Sequence, residues 1–563
     1  MQDGTYLKQK YRKISVALLS NLLILGAMAA FMRPSFETND DIVFAELGSG
    51  LRGVKDAHLI FQNYGLGMIY RFLYAVTGRL PWYTIVQYMI LFVAFTAITY
   101  VLVSRLGEIS GLCLFVILVC GFGYEGYVHL QFTKTAGIAA AAAVFLLFYL
   151  LEQKKYSWWG IIVGVLLAVI AYMYREDQFW ASCGLMAGAG LLFLFDLRKY
   201  RNKKLRRLGI CVLTFGVLLL SVFGVDRWDS SKYRSAEWEE YQEFNQLRSE
   251  LLDYGFPDYD SNQEIYEELW ISREAYELYK SWNFNDTEKF DTEVMKKLVD
   301  LKQKRPLTIR TVTAFLRRFP SDLLRMPMFY FFAIFAVLWL LCGKKDVCSV
   351  ISVLAECLLL VAVYFYLYYQ GRYMVNRVDV GLWFSACLVM LWIFSSGEVR
   401  YMNIKTSVLL CMICVALGQF MMHKDWRIAT ASIPEARVSQ RAVLETIGTD
   451  KEHVYLAKSG MLSEIVCYGP FDRMPENLLD NVYWFGGWEC RTPGYTRAME
   501  AHGIKNPYRD VVNNQNIYLV DDNIDLTLKY IRQYYAENAE AVFVKTIGNV
   551  DVYQITDDSE KKE

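Results

Sequence analysis

The chain has 563 residues, 54% of them hydrophobic and 15% aromatic, with a mean hydropathy of +0.19 and a formal net charge of zero. So apolar a composition, broken by charged connections, belongs to the membrane class and not to a soluble multidomain protein. No broad basic surface points to nucleic acid as a partner, and twelve cysteines without a C-x-x-C pair, beside five scattered histidines, form no metal-ligand pattern.

The N-terminus, MQDGTYLKQKYRK, is basic, and an apolar run at 14–32 follows it. The run is too long for the apolar part of a signal peptide, and no small-residue cleavage site ends it. It reads as a first transmembrane helix, with Lys8, Lys10, Arg12 and Lys13 holding its start in the cytoplasm. The next stretch, FMRPSFETNDDIVFAELGSG, then lies outside and carries Asp40 and Asp41 side by side.

Further apolar runs lie near 59–78, 83–103, 109–124, 136–151, 157–174, 179–195, 208–224, 326–342, 347–369, 380–396 and 404–422. Runs of this kind are long enough to cross a hydrocarbon core of about 30 Å as helices. The basic connections EQKK (152–155), DLRKYRNKKLRR (196–207), GKKD (343–346) and GEVRYMNIK (397–405) read as cytoplasmic. Alternation places EGYVHLQFTK (125–134), YREDQF (174–179), 225–325, QGRYMVNRVDVG (370–381) and everything after 422 outside. The alternation closes only if one early run does not cross. That run is 59–78, which carries His58 at its edge, Asn63, Arg71 and two glycines.

The expected fold is an all-α polytopic transmembrane bundle of about 11–12 helices with a C-terminal extracytoplasmic α/β domain. Residues 1–224 form an N-terminal transmembrane module whose first outer loop spans 33–58, or extends to 82 if 59–78 lies at the interface. Residues 225–325 form a helical insert, 326–422 the C-terminal transmembrane helices and 423–563 the α/β region. In that last region HVYLAKS, NIYLVDD and AVFVKTIGNVDVYQI are strand-like, the third with a Gly-Asn hairpin turn, and IDLTLKYIRQYYAENA has helical periodicity. Ten cysteines fall in or beside apolar runs as small packing residues. Cys467 and Cys490 can pair if the C-terminal region is extracytoplasmic.

Two adjacent carboxylates at a membrane surface can take a proton from a hydroxyl, or hold a divalent cation, Mg2+ or Mn2+, against a phosphate. Asn-Asp-Asp equally suits the start of a helix. Outer-side cations that can meet phosphate oxygens are Arg52, Lys55, Lys134, Arg175, Arg372 and Arg377. Each also suits a headgroup or topology role; GRYMVNR stands out for its two arginines five residues apart. Glu176 and Asp177 complete an acceptor pocket or are satisfied by Arg175. Glu356 sits in mid-run, where a carboxylate is costly unless it is paired, protonated or functional. Trp484, Trp488 and Tyr495 in YWFGGWECRTPGYTRAM are either exposed platforms for a sugar ring or the core of a small domain.

A first helix, then an outer loop opening on FETNDDIVFAELGSG, then SGLRGVKDAHLIFQNYGLGMIYRFLYAVTGRLPWY, FTKTAG before an alanine-rich helix, and an outer YREDQ resembles the C-type (GT-C) membrane glycosyltransferases. The likeness runs in order over 14–200 and more loosely to 422, while the acid-rich insert and α/β tail depart from it. The resemblance implies inverting transfer of a sugar from a polyprenyl-phosphate donor to a glycan, lipid or protein acceptor outside a bacterial plasma membrane. It implies Asp40 as base, with Asp41 orienting it or sharing a metal. The donor phosphate would meet Arg372, Arg377, Lys134, Arg175 and Arg52, with Glu176, Asp177, His58 and Glu356 on the acceptor side or in support. The rival readings are a lipid-linked glycan flippase or transporter, an O-antigen-like polymerase, and a membrane-anchored assembly protein.

Overall fold

The structure, a computed structural model, describes residues 2–197, 204–302, 306–396, 433–462 and 467–557. In hydrocarbon a segment must satisfy its own backbone, which selects helices for the apolar runs. The N-terminal part comprises α1 (Gln2–Phe31), β1 (Ser35–Phe36), α2 (Asn39–Ser49), α3 (Tyr64–Val76), α4 (Trp82–Leu106), α5 (Glu108–Tyr127), β2 (His129–Leu130), α6 (Phe132–Glu152), α7 (Trp158–Tyr174), α8 (Glu176–Leu185), α9 (Ala187–Leu197) and α10 (Lys204–Lys232). The insert holds α11 (Ala236–Arg248), α12 (Gln263–Glu268), α13 (Arg273–Lys280) and α14 (Thr292–Asp300). The chain returns through α15 (Ile309–Leu323), α16 (Pro327–Cys342), α17 (Val347–Gln370) and α18 (Asn376–Ser395).

Among the described residues, α1, α4, α5, α6, α10, α17 and α18 are long and apolar enough to cross a membrane. Two bent pairs, α8–α9 (42°) and α15–α16 (83°), bring the number to nine if each is one span, and α7 is a shorter apolar helix. In the early run at 59–78, α3 has 13 residues and is not among the helices long and apolar enough to cross. The run at 404–422 and the connection at 397–405 lie outside the described residues.

One end of the bundle is marked by bonds between basic connections: Lys10 donates to Ser157 Oγ at 2.9 Å, Arg12 pairs with Glu108 at 2.7 Å, and Arg105 pairs with Glu152. At the other end β1 pairs parallel with β2, Ser35 opposite His129 and Phe36 opposite Leu130. The centre is α6 against α18, both buried along almost their whole length. Small residues allow this: a Cβ on Gly137 would lie 2.6 Å from the Cα of Gly381 on α18.

The C-terminal region holds α19 (Ile433–Thr449), β3 (Val454–Ala457), β4 (Val482–Trp484), α20 (Pro493–Ala501), α21 (Pro507–Asp510), β5 (Ile517–Val520), α22 (Ile524–Tyr534), β6 (Glu540–Ile547) and β7 (Val550–Thr556). Its sheet runs in the order β4-β3-β5-β7-β6, parallel across the first three strands and antiparallel across the last two pairings. The Gly-Asn hairpin forms as expected, with Ile547 opposite Val550 and Gly548 at φ 62°. Trp484 and Trp488, expected either as exposed platforms or as core, are buried. Cys490 keeps a free thiol, so the Cys467–Cys490 bridge is not made.

Insert and C-terminal region share one core, in which Tyr241, Phe244 and Tyr279 pack with Tyr483, Phe485 and Tyr508. Asp286 of the insert accepts from Tyr530, Tyr535 and Asn506 of the C-terminal region. The two form a single body seated on the end of the bundle that carries β1 and β2.

The close crossing of α6 and α18 makes opposite outcomes for two glycines. Gly137→Ala should cost about 1–3 kcal/mol through overpacking. Gly216→Ala on α10, where an added Cβ meets nothing within 4 Å, should be neutral or raise stability by up to ~1 kcal/mol. Thermal unfolding of the detergent-purified variants checks the order.

Candidate functional site

The site begins where β1 hands the chain to α2. Thr38 is extended at the N-cap, and Asp40 and Asp41 occupy the first turn, where a helix favours negative charge. Neighbours on a helix point about 100° apart, so the two carboxylates meet different surroundings.

Asp41 is fully buried. Its Oδ1 accepts from the Tyr83 hydroxyl at 2.7 Å and the Phe132 backbone N–H at 3.1 Å. Burial pushes its carboxyl up to about 8, opposed by the Tyr83 bond and assisted by the negative charge of Asp40. At neutral pH it is a neutral tether joining α2 to α4 and α6.

Asp40 faces a cavity of about 950 Å³. Its Oδ1 accepts from Trp488 Nε1 at 2.9 Å, a bond from the C-terminal region. Burial raises its proton affinity above that of an ordinary aspartate, while the charges of Arg377 and Arg175 and the Trp488 bond keep the rise in check.

Arg175, Arg372, Arg377 and Asp177 line the same cavity. Arg175 lies 3.2 Å from Asp177. Arg372 lies 3.0 Å from Asp253 of the insert and its guanidinium stands 4.7 Å from the Tyr254 ring centre. Among the described residues no carboxylate forms an ion pair with Arg377, whose charge acts on Asp40 across the cavity.

Other expected site residues lie elsewhere. Lys134 is 1% exposed, held between Glu37 at 2.5 Å and Glu125, and does not line the cavity. Arg52 pairs with Glu46 at 2.6 Å and Glu489 at 3.1 Å, beneath Trp484. It is a clamp between α2 and the C-terminal region, not a cavity cation. His58 lies 2.7 Å from Asp56 and packs on Trp238. Glu176 is exposed and outside the lining. Glu356 is buried in α17 against Gly188 of α9, and neither of its oxygens has a hydrogen-bond partner among the described residues.

The Asp40–Asp41 pair does not fit a shared metal, because Asp41 spends an oxygen on Tyr83 and Phe132 and is not part of the cavity wall. Among the described residues, Glu37, Glu125 and His129 bring three ligand atoms within 4.8 Å of one another. The Lys134 ammonium sits among them and supplies the positive charge there.

Sequence reasoning missed the insert's share of the wall, including Asp253 and Trp282. The signal was present as the insert's richness in Tyr and Trp, but nothing local ties those residues to Asp40.

Membrane-length helices and a charged cavity at one end of them define a multi-pass membrane protein with its site at the bundle end, roofed by a soluble body. No family model matches the sequence, and no curated protein matches it. Among solved structures, ArnT from Cupriavidus metallidurans in the apo state aligns at 11% identity and TM-score 0.42 over 98% of each chain. ArnT from the same organism bound to undecaprenyl phosphate aligns at 12% identity and TM-score 0.40 over 96% of this chain and 97% of that one. A likeness of that degree leaves the activity to be argued from the residues.

The buried tether makes a pH prediction. An unfolded aspartate ionises near 3.8 and the folded Asp41 only near 8, so its proton stabilises the fold at acid pH, and that contribution is lost as pH rises between these values. Relative to Asp41→Asn, the wild type should lose up to about 1.4 kcal/mol per pH unit across that window and level off above it. Paired melts at pH 5, 6.5, 8 and 9 measure this.

Proposed function

We propose that the chain is a membrane glycosyltransferase of the GT-C type. It transfers a sugar from a polyprenyl-phosphate donor to a glycan, lipid or protein acceptor on the extracytoplasmic side of the membrane. The supporting observation is that Asp40, with raised proton affinity, and Arg377, without an ion-pair partner among the described residues, face one cavity at the end of the bundle. A base and an uncommitted guanidinium are the two groups that such a transfer requires.

In this reading the acceptor oxygen attacks the anomeric carbon as the bond from that carbon to the phosphate oxygen breaks. Asp40 takes the hydroxyl proton, and Trp488 fixes the carboxylate. Arg377 receives the charge of the departing phosphate, with Arg175 and Arg372 beside it. Displacement in a single step inverts the anomeric centre. Val363, Tyr366 and Leu367 of α17 form an apolar side of the cavity suited to a lipid chain. No step uses Mg2+ or Mn2+, since Asp41 is engaged as a tether.

The bonds among basic connections at the opposite end support a cytoplasmic N-terminus and an extracytoplasmic soluble body. Glu356, the mid-run carboxylate that a transporter would use, is buried between helices and does not line this cavity.

Cell-envelope glycan composition, by mass spectrometry, tests the proposal in a deletion strain complemented at matched protein levels. Wild type and Asp41→Asn should restore the lost sugar. Asp40→Asn and Arg377→Ala should fall short, with transfer rates lowered ~10²–10⁴-fold for the base. Full restoration by Asp40→Asn would remove Asp40 as the base.

A further inference from the structure

The insert's wall of the cavity has chemistry that the transfer reading does not use. Gln242, Asn245, Gln246 and Ser249 recur at helical spacing along α11 and into the π-helical turn at 249–253, and all four line the cavity. Amide and hydroxyl groups in a row both donate and accept, as a polyhydroxylated ring requires. Asn245 is held in place: its Oδ1 accepts from Arg248 Nε at 2.9 Å, and Arg248 is itself buried.

Trp282 completes the wall. Its φ is 66°, a left-handed conformation that a bulky side chain rarely adopts. The surroundings impose it. Ser459 Oγ donates to the Trp282 carbonyl at 2.7 Å, and Gly486 lies so near that a Cβ there would fall 1.7 Å from that oxygen. Two segments of the C-terminal region thus fix a costly conformation whose result is an indole at the cavity wall, half-buried, with Arg248 5.3 Å from its ring centre. Strain so enforced is characteristic of a binding position.

We propose that Trp282 and the amide face of α11 form a saccharide subsite, with the indole stacking on a sugar ring and Gln242, Asn245 and Gln246 reading its hydroxyls. The proposal rests on the glycosyl-transfer reading of the cavity and names the substrate class for this wall. The sugar belongs either to the acceptor or to the donor, and Arg377 separates the two. An acceptor sugar binds independently of it, whereas a donor sugar is anchored through its phosphate.

The test is saturation-transfer NMR on the full-length protein in detergent. The probes are the methyl glycosides of glucose, galactose, mannose, N-acetylglucosamine and arabinose, together with hexose-1-phosphates. At least one probe should bind wild type and Asp40→Asn alike. Trp282→Asn should weaken it ~3- to 10-fold, the weight of one aromatic contact, and Trp282→Phe should retain it. Asparagine enters the left-handed region more easily than other residues, so Trp282→Asn keeps the backbone while removing the ring, and a melt at the wild-type temperature confirms this. Binding of a methyl glycoside that survives Arg377→Ala assigns the subsite to the acceptor. Binding only of phosphorylated probes, lost in Arg377→Ala, assigns it to the donor. Equal binding by wild type and Trp282→Asn, or no binding of any probe to wild type, overturns the subsite. Loss of the envelope sugar in Asp40→Asn would still stand as evidence for transfer.

Discussion

The buried carboxyl of Asp41 is the constraint on which the site depends. It joins the first turn of α2 to the start of α4 through Tyr83 and to the start of α6 through the Phe132 amide. Beside it, the two-residue pairing of β1 and β2 fixes the height at which the chain leaves α1. With those elements fixed, the preceding residue on α2 has one direction left to face. Asp40 therefore points into the cavity because Asp41 cannot. One dipeptide serves two ends: burial raises the proton affinity of both carboxyls, and the charges of Arg377 and Arg175 oppose that rise at Asp40 alone.

The soluble body does more than cover the bundle. Arg52 lies between Glu46 of α2 and Glu489 of the C-terminal region, three side chains almost wholly removed from water. Removing one partner of such a set leaves an uncompensated buried charge, so it acts as a geometric lock. Backbone bonds from Asn477 to Gly50 and from Leu479 to Leu51, both 2.8 Å, hold the same seam. Through it Trp488 reaches Asp40, so the carboxylate is oriented from outside the membrane while its neighbours are set from within it.

Cations at this end of the bundle divide into committed and available ones. Lys134 and Arg52 are enclosed by carboxylates and serve architecture. Among the described residues Arg175 and Arg372 have one acidic partner each, and both line the cavity. Arg377 has no carboxylate ion-pair partner among the described residues, and its charge acts on Asp40. This gradation gives the cavity a positive side next to the Asp40 carboxyl, with an apolar flank on α17 and a polar, aromatic wall on the insert.

The amino-acid sequence by itself determined the features that rest on local periodicity. These are the membrane helices with their basic ends, the helical insert, and the β6–β7 hairpin at Gly548. Each follows from side-chain pattern against water or lipid within a few turns of chain. It also marked Asp40, Arg372 and Arg377 as worth attention, since charges beside apolar runs are conspicuous. What only the tertiary structure decided was which charges remain available. Arg52 meets Glu489 across 437 positions and Trp488 meets Asp40 across 448, while Lys134 is enclosed by Glu37 and Glu125. Charge neutralisation and burial are set by partners far along the chain, and no spacing within the sequence encodes them.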